Sequence, residues 1–363
     1  MDHPASSAAS VDETEALTAR VAAAAAARQP LRLHANNSKA FYGNPGGGDP
    51  LDVSGHRGLI SYQPTELMVT VRAGTPLREL EAELAAAGQM LPFEPPHFGG
   101  GGSIGGAVAA GLAGPARPFR GAVRDALLGV RILNGRGEVL RFGGEVVKNV
   151  AGYDLSRPMA GALGTLGVLL DVSLKVVPQP EVEATRTLEV DAGSTWQRVH
   201  AALMAGCPIS AAVHDGERLH LRLSGSDSGV RAATRQIGGD TPDDGDAFWG
   251  ALRDHTLGFF QESHPPLWRL SLPPATAAPE LPGARLLDWA GQQVWLRSDA
   301  PADQVRAATE TLGGHATLWR GQTEPAAPAF HPPSPGVARL NRQLKEALDP
   351  HHILNPGRFD PAL

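Results

Sequence analysis

Apolar residues recur along this chain with two periods, and the elements they predict alternate without an internal repeat. Residues 13–28 hold an alanine-rich run that predicts a helix. A short strand is expected at 31–34 and another over 51–60. Val69, Val71 and Ala73 alternate with Thr70 and Arg72, which predicts a strand over 65–73. Leu77, Leu80, Leu84 and Ala87 then share one helical face; Thr75 is expected to cap that helix, Pro76 to open it and Gly88 to stop it. Residues 126–133 and 137–142 flank Asn134-Gly135, a hairpin signal. A short helix at 156–162, a glycine turn at 164–167 and a strand rich in β-branched residues at 168–177 follow. Pro178 and Pro180 mark a boundary.

Beyond that boundary the texture changes. Strands at 187–190, 219–223, 268–272 and 293–297 alternate with helices at 194–205, 228–237 and 302–312, as in an antiparallel sheet with helices. A last helix over 335–348 spaces Leu340, Leu344 and Leu348 by four residues and ends at Asp349-Pro350. The fold class expected is α+β, with one domain at 1–180, a smaller one at 181–334 and a terminal segment at 335–363.

One stretch departs from both periods. Six of the eight residues from Gly99 to Gly106 are glycine, and small apolar residues follow as far as Gly114. Glycine reaches backbone conformations closed to other residues and lets amides lie against a ligand. The reading is a loop and short helix beside a phosphate-bearing cofactor, with a plain glycine-rich surface loop as the alternative. Two other motifs match locally: G-x-G-x-x-G at Gly100, Gly102 and Gly105, and G-x-S-x-G at Gly101, Ser103 and Gly105. Both need a strand immediately before them. Here Pro92, Pro95 and Pro96 precede, and proline cannot donate to a ladder. The turn at Ala35-Asn36-Asn37-Ser38-Lys39 reads either as an ordinary polar turn or as a second set of amides facing phosphate.

Composition narrows the class. The chain has 363 residues and a net charge of −6, so no basic footprint for nucleic acid is present. Its one cysteine, Cys207, excludes an internal disulfide and suits a reducing, cytoplasmic setting. No apolar run approaches the ~18 residues that span a bilayer, and the first residues are not signal-like.

Four pieces in order carry a resemblance: G-Q-M-L-P-F-E-P-P-H-F at 88–98, F-G-G-E-V-V-K-N-V-A-G-Y-D-L-S-R at 142–157, G-G-H-A-T at 313–317 and L-D-P-H-H-I-L-N-P-G-R at 348–358. With the glycine turns, they resemble the FAD flavoproteins of the vanillyl-alcohol oxidase and p-cresol methylhydroxylase (PCMH) type, and within them the E-type FAD-binding subunits of glycolate oxidase. The resemblance implies a FAD-binding domain of two α+β subdomains, a smaller cap domain with an antiparallel sheet, and a terminal segment that returns to the FAD domain. It implies that Asn36, Asn37, Ser38 and Lys39 form the pyrophosphate loop. Pro95, Pro96, His97, Ser103, Ile104, Gly105 and Gly106 would run along the pyrophosphate and flavin, with Gly111 and Gly114 continuing that wall. Gly164, Thr165, Leu166, Gly167 and Val168 would line the adenosine side, and Asn355, Pro356 and Gly357 would approach the isoalloxazine. The first loop departs from the family in beginning with Ala35 rather than glycine. No histidine stands at the place used for covalent attachment, since His34 precedes the loop, so FAD is expected to be non-covalent.

The chemistry of a 2-hydroxy acid needs a base and a cationic clamp. Val150 offers neither. Arg269 and His315 are the candidates, each with a structural role as its alternative, which for Arg269 is the solvated face of a strand. His214 with His220, and His351 with His352, read as surface histidines rather than metal ligands, and residues 240–246 as a solvated loop. No metal site is expected. The resemblance therefore implies an accessory or electron-transfer subunit of a multi-subunit glycolate oxidase that converts a small 2-hydroxy acid to the 2-oxo acid. Its partners would be a larger catalytic flavin subunit and an iron–sulfur subunit. Any membrane association, at the inner face, would come through those partners. A stand-alone FAD-dependent 2-hydroxy-acid dehydrogenase and a serine hydrolase using Ser103 are the alternatives.

Overall fold

The computed structural model describes residues 10–144, 154–323 and 326–363. Val150 and most of the motif at 142–157 lie outside the described residues. The chain forms two compact units. One holds the residues up to Ala113, Ala122–Gln179 and Pro332–Leu363; the other holds Gly114–Gly121 and Pro180–His331. The fold is α+β, as the element pattern predicts.

The first unit is built on five antiparallel strands in the spatial order Leu59–Gln63, Met68–Arg72, Val168–Lys175, Leu127–Leu133 and Val139–Gly143. The middle strand is buried at every position but its last. Covered on both faces, it is apolar at most positions, and its two buried polar side chains are hydrogen-bonded, Asp171 to His56 and Arg131 and Ser173 to Thr70. Leu169, Val172 and Leu174 nonetheless share one core, because a register shift between Arg131 and Ile132 inserts one residue and resets the alternation. That core takes Leu77, Leu80 and Leu84 from helix Leu77–Ala86, and Ile104, Ala107 and Val108 from helix Ile104–Ala110. A second cluster joins Leu17, Val21 and Ala24 of helix Thr14–Ala27 to Leu31, Leu51, Ile353 and Leu354. The last two residues come from the end of the chain, so this core closes only when the C-terminal segment arrives.

Local expectations shift at three places. The strand expected over 51–60 is two strands. Asp49–Asp52 pairs in parallel with Leu31–His34, while Leu59–Gln63 joins the five-stranded sheet. The turn between them is set by the Asp52 carboxylate, which accepts from Ser54 N at 2.9 Å. Thr75 does not cap its helix, because its hydroxyl is committed to Gly58 N at 2.9 Å. The helix expected at 156–162 shrinks to the single 3-10 turn Arg157–Met159, with the Asp154 carboxylate taking the N–H of Ser156.

The second unit is a seven-stranded antiparallel sheet. In spatial order its strands are Val182–Leu188, Leu219–Gly225, Ile209–His214, Ala284–Asp288, Gln293–Arg297, Leu267–Ser271 and His315–Arg320. Strand Ile209–His214 escapes prediction because it is buried at every position and does not alternate. His214, expected at the surface, is buried with Nε2 at 2.8 Å from Val190 O. His220, opposite Val213 on the other strand of the hairpin, pairs with Asp215 at 2.7 Å. Residues 240–246 are mostly exposed, as expected, and only their ends join regular structure: Asp240 exchanges two backbone hydrogen bonds with Thr187, and helix Gly245–Asp254 begins at Gly245.

A buried polar network anchors the first helix to the five-stranded sheet. His56 Nδ1 accepts from Glu13 N at 3.0 Å, so its Nε2 carries the proton that it donates to Asp171 Oδ1 at 3.2 Å. Arg131 binds the other Asp171 oxygen and reaches Thr14 Oγ1 at 3.1 Å. Burial works to raise the Asp171 pKa, but the hydrogen bonds from His56 and Arg131, with the Arg131 charge, outweigh it and hold the carboxyl below its ordinary value. Its folded pKa is depressed, so the stability it contributes is present above the unfolded value and is lost as pH falls through the folded one. Asp171→Asn is therefore expected to lower the melting temperature at neutral pH. The gap to wild type should narrow below about pH 4, which paired thermal melts across pH will show.

Candidate functional site

The first unit contains an open cleft. Its walls come from chain segments far apart in sequence. Strand Leu31–His34 ends in it, and the turn 35–40 continues along it. Asn37 takes φ 55°, the left-handed conformation that asparagine tolerates, and its carbonyl accepts from Ala40 N at 3.0 Å. Ser103, Gly105, Gly106, Ala109 and Ala110 of the glycine stretch form a second wall. Leu163, Gly164, Gly167, Val168 and Leu169 form a third, and Asn355 with Arg358 closes it from the C-terminus.

Close packing explains the glycines. A Cβ on Gly105 would stand 2.5 Å from Ala73 Cβ and 2.7 Å from Ala73 O. Its absence lets helix Ile104–Ala110 lie on the end of strand Met68–Arg72. Ser103 caps that helix, its Oγ accepting from Gly106 N at 3.1 Å. This is its hydrogen bond among the described residues, and the segment before it is a run of turns, so Ser103 does not sit on a nucleophile elbow.

Charge gives the cleft its selectivity. Although the chain carries a net charge of −6, no carboxylate is among the described residues that line it, while Arg32, Lys39 and Arg358 are. Arg358 is tied down: its guanidinium donates to Asn44 O and Ala40 O, both at 2.8 Å, and so shapes the loop beside it. Burial and the charge of Arg32 push the Arg358 pKa below its ordinary value. Two guanidinium groups sharing one cleft without a carboxylate favour a bound anion. Sequence reasoning named neither residue. Arg358 stands in the motif at 348–358, whereas Arg32 carries no signal beyond its place on a strand that ends in the turn.

The structure brings together Asn36, Asn37, Ser38, Lys39, Ser103, Gly105, Gly106, Gly164, Gly167, Val168 and Asn355 as cleft lining. Others on the expected wall do not line it. His97 is buried against Glu81 at 3.0 Å, with Pro95 and Pro96 buried beside it. Phe98 packs edge-on to Phe41 with the Lys39 ammonium 5.6 Å from its ring, so this segment supports the loop at residues 35–40. Ile104 points into the core, and Gly111 ends its helix at φ 64°. Gly114 belongs to the second unit, where its carbonyl accepts from Trp289 Nε1 at 3.1 Å. Thr165 turns its carbonyl to Lys345, Leu166 packs on the core, and Gly357 offers its carbonyl to Asn44 beyond Pro356.

Arg269 and His315 lie in the second unit, not in this cleft. They sit on adjacent strands two register positions apart and share a face. Around Arg269 that face is not solvated as expected: its guanidinium lies 5.0 Å from the Trp319 ring, and Trp295 and Thr317 beside it are buried, whereas His315, first on its strand, is exposed. Desolvation, then the charges of Arg269, His331 and Arg117, lower the His315 pKa. Among the described residues no group of three His, Cys, Asp or Glu side chains is placed to hold a metal, and no helix is long and apolar enough to cross a membrane.

Comparison with known proteins matches these features. A model of the FAD binding domain fits residues 5–143. The glycolate oxidase subunit GlcE of Escherichia coli (strain K12) is 44% identical over 348 residues, covering 96% of this chain and 97% of that protein. The chain belongs to the FAD-binding oxidoreductases, in the family of that subunit. The glycolate oxidase subunit GlcD of Bacillus subtilis (strain 168) is 30% identical over 127 residues, 35% of this chain and 27% of its own. In fold, p-cresol methylhydroxylase is similar at a TM-score of 0.70 and 15% identity, over 98% of this chain and 88% of that one. The cofactor of this family is FAD, and a carboxylate-free cleft with three cations suits its diphosphate.

Two substitutions probe the fit. Arg32→Ala is expected to weaken FAD binding about 5- to 10-fold at low salt, with less effect at high salt, in fluorescence titrations of the apoprotein. Gly105→Ala is expected to destabilise the first unit by about 1–3 kcal/mol and to reduce FAD retention on gel filtration, because the helix must move off Ala73.

Proposed function

We propose that this chain is a non-covalent FAD-binding subunit of a multi-subunit glycolate oxidase. It would work in oxidation of a 2-hydroxy acid to the 2-oxo acid, beside a larger catalytic flavin subunit and an iron–sulfur subunit. The observation that carries the reading is the composition of the cleft. Among the described residues its polar side chains are three cations, three asparagine amides, two serines and the His34 imidazole, groups that hold an anion and orient a planar ring. They do not include an acid–base pair.

The roles follow from the geometry. Asn36, Asn37, Ser38 and Lys39, with Arg32, would hold the diphosphate. Arg358 fixes the carbonyls of Ala40 and Asn44, and so the shape of that turn. Gly105 and Gly106 give backbone access along the ligand, and Gly164 with Asn355 would bound its far side. FAD, when bound, supplies two-electron redox chemistry. His34 is the imidazole in the lining, with Nδ1 3.2 Å from Ala35 O. It stands on the strand before the loop, with the Asp52 carboxylate, outside the lining, 3.9 Å from its Nδ1. This supports non-covalent binding and a cofactor-holding or electron-transfer role.

A second reading, a subunit with its own hydroxy-acid site, is favoured by one observation. On the face that carries Arg269 and His315, the buried atoms Gln293 Oε1 and Trp295 Nε1 have no hydrogen-bond partner among the described residues. A carboxylate with a neighbouring hydroxyl offers both an acceptor and a donor.

The two readings separate cleanly. The purified chain is expected to show flavin absorbance, and acid precipitation should release the flavin to the supernatant. With glycolate or D-lactate and a dye acceptor, the chain alone should turn over negligibly, and activity should appear on co-expression with the other subunits. Robust turnover by the chain alone, abolished by Arg269→Ala, would establish the second reading instead. Flavin retained in the acid pellet would refute non-covalent binding.

A further inference from the structure

Lys345 is buried, with 1% of its surface exposed, yet it does not line the cleft. It lies near the end of helix Pro335–Leu348, where a side chain this enclosed would ordinarily be apolar. Each of its three ammonium donors has an acceptor: Thr165 O at 2.8 Å, Asp349 Oδ2 at 2.7 Å and Leu354 O at 2.8 Å. Asp349, itself fully buried, accepts in turn from Ile353 N at 3.1 Å and Leu354 N at 2.8 Å. One ion pair therefore grips two separate pieces of chain, the glycine turn at 163–167 and the C-terminal segment at 353–355.

Both pieces end in the cofactor cleft. Directly after Leu354, Asn355 N donates to Leu31 O at 2.9 Å. Its Oδ1 accepts from Leu33 N at 2.7 Å, and its Nδ2 donates to Leu163 O at 2.6 Å. Leu33, Leu163 and Asn355 all line the cleft. By either route one hydrogen bond reaches a residue next in the chain to the lining: Thr165 beside Gly164, and Leu354 beside Asn355.

We infer that Lys345 is a positioning residue for the cofactor site: through Asp349 it sets the spacing between the 163–167 turn and Asn355, and hence the width of the cleft at that wall. The inference rests on the proposed FAD site for its function, but its geometry stands independently. Removing the ammonium leaves a buried carboxylate and two carbonyls without their donor, and these groups must find water or move. The turn and the C-terminal segment then lose their common anchor.

The test compares Lys345→Met with Leu348→Ala in the full-length chain. Leu348 lies on the same helix and is buried in the main core, without a side-chain bond to either piece. Two quantities are read. In the apoprotein, hydrogen exchange should speed up at the amides of 31–35 and 163–167 in Lys345→Met, and not in Leu348→Ala. In FAD titrations, Lys345→Met should raise Kd by at least about tenfold, while Leu348→Ala changes it less than about threefold at a similar drop in apoprotein melting temperature. Lys345→Gln, which keeps part of the donor set, should fall between wild type and Lys345→Met, and it carries the same comparison if Lys345→Met does not fold. Equal effects of the helix variants on both quantities overturn the inference and leave Lys345 a stabilising residue only. If wild-type protein takes up no FAD, the functional reading fails, while the exchange pattern still decides whether Lys345 sets the wall.

Discussion

The first unit depends on one constraint: its last residues must return to its first strand. Leu31 N donates to Ile353 O at 2.6 Å, and Asn355 N donates to Leu31 O at 2.9 Å. The Asn355 carboxamide then joins Leu33 N to Leu163 O, so three segments separated by more than a hundred residues meet at one side chain. A buried amide making both bonds is strongly held, because leaving either group unpaired costs about 1–3 kcal/mol. The cleft is the space between these joined segments. Its shape is thus a property of chain closure, not of any single loop.

Electrostatics act on that frame. The chain as a whole is acidic, yet the described lining of the cleft holds arginine and lysine and no carboxylate. Such a site draws in an anion and opposes its own collapse, since like charges keep the walls apart when nothing lies between them. The two guanidinium groups divide the work. Arg358 spends its donors on backbone carbonyls and fixes the loop, while the Arg32 side chain has no hydrogen bond or ion pair among the described residues and lines the cleft. This arrangement explains how a protein of the FAD-binding family manages with a first loop that begins Ala35-Asn36-Asn37: asparagine supplies the left-handed turn that glycine would otherwise provide.

Much of this was legible before any coordinates. Leu77, Leu80 and Leu84 announced a helix face and form one, and Asn134-Gly135 announced a hairpin that pairs as expected. The reading failed where burial removed the signal. Ile209–His214 is covered on both faces and shows no alternation, and His214 looked like a surface residue because a lone histidine carries no mark of what surrounds it. Within the site, loops rich in glycine and asparagine were visible as phosphate-binding candidates. Pro95, Pro96 and His97, equally conspicuous in the sequence, are buried outside the cleft lining, His97 against Glu81.

By itself, then, the sequence determined the class of fold, the order of most elements and the cofactor family, because period, turn chemistry and motif order are local properties of the chain. Only the tertiary structure decided which of those residues share a cleft. Arg32 and Arg358 are 326 positions apart, and their nearness is set by a strand and a returning terminus that no local pattern links. The same holds for Lys345. A lysine on an amphipathic helix reads as solvated until three acceptors, one of them 180 residues away, are seen to converge on its ammonium.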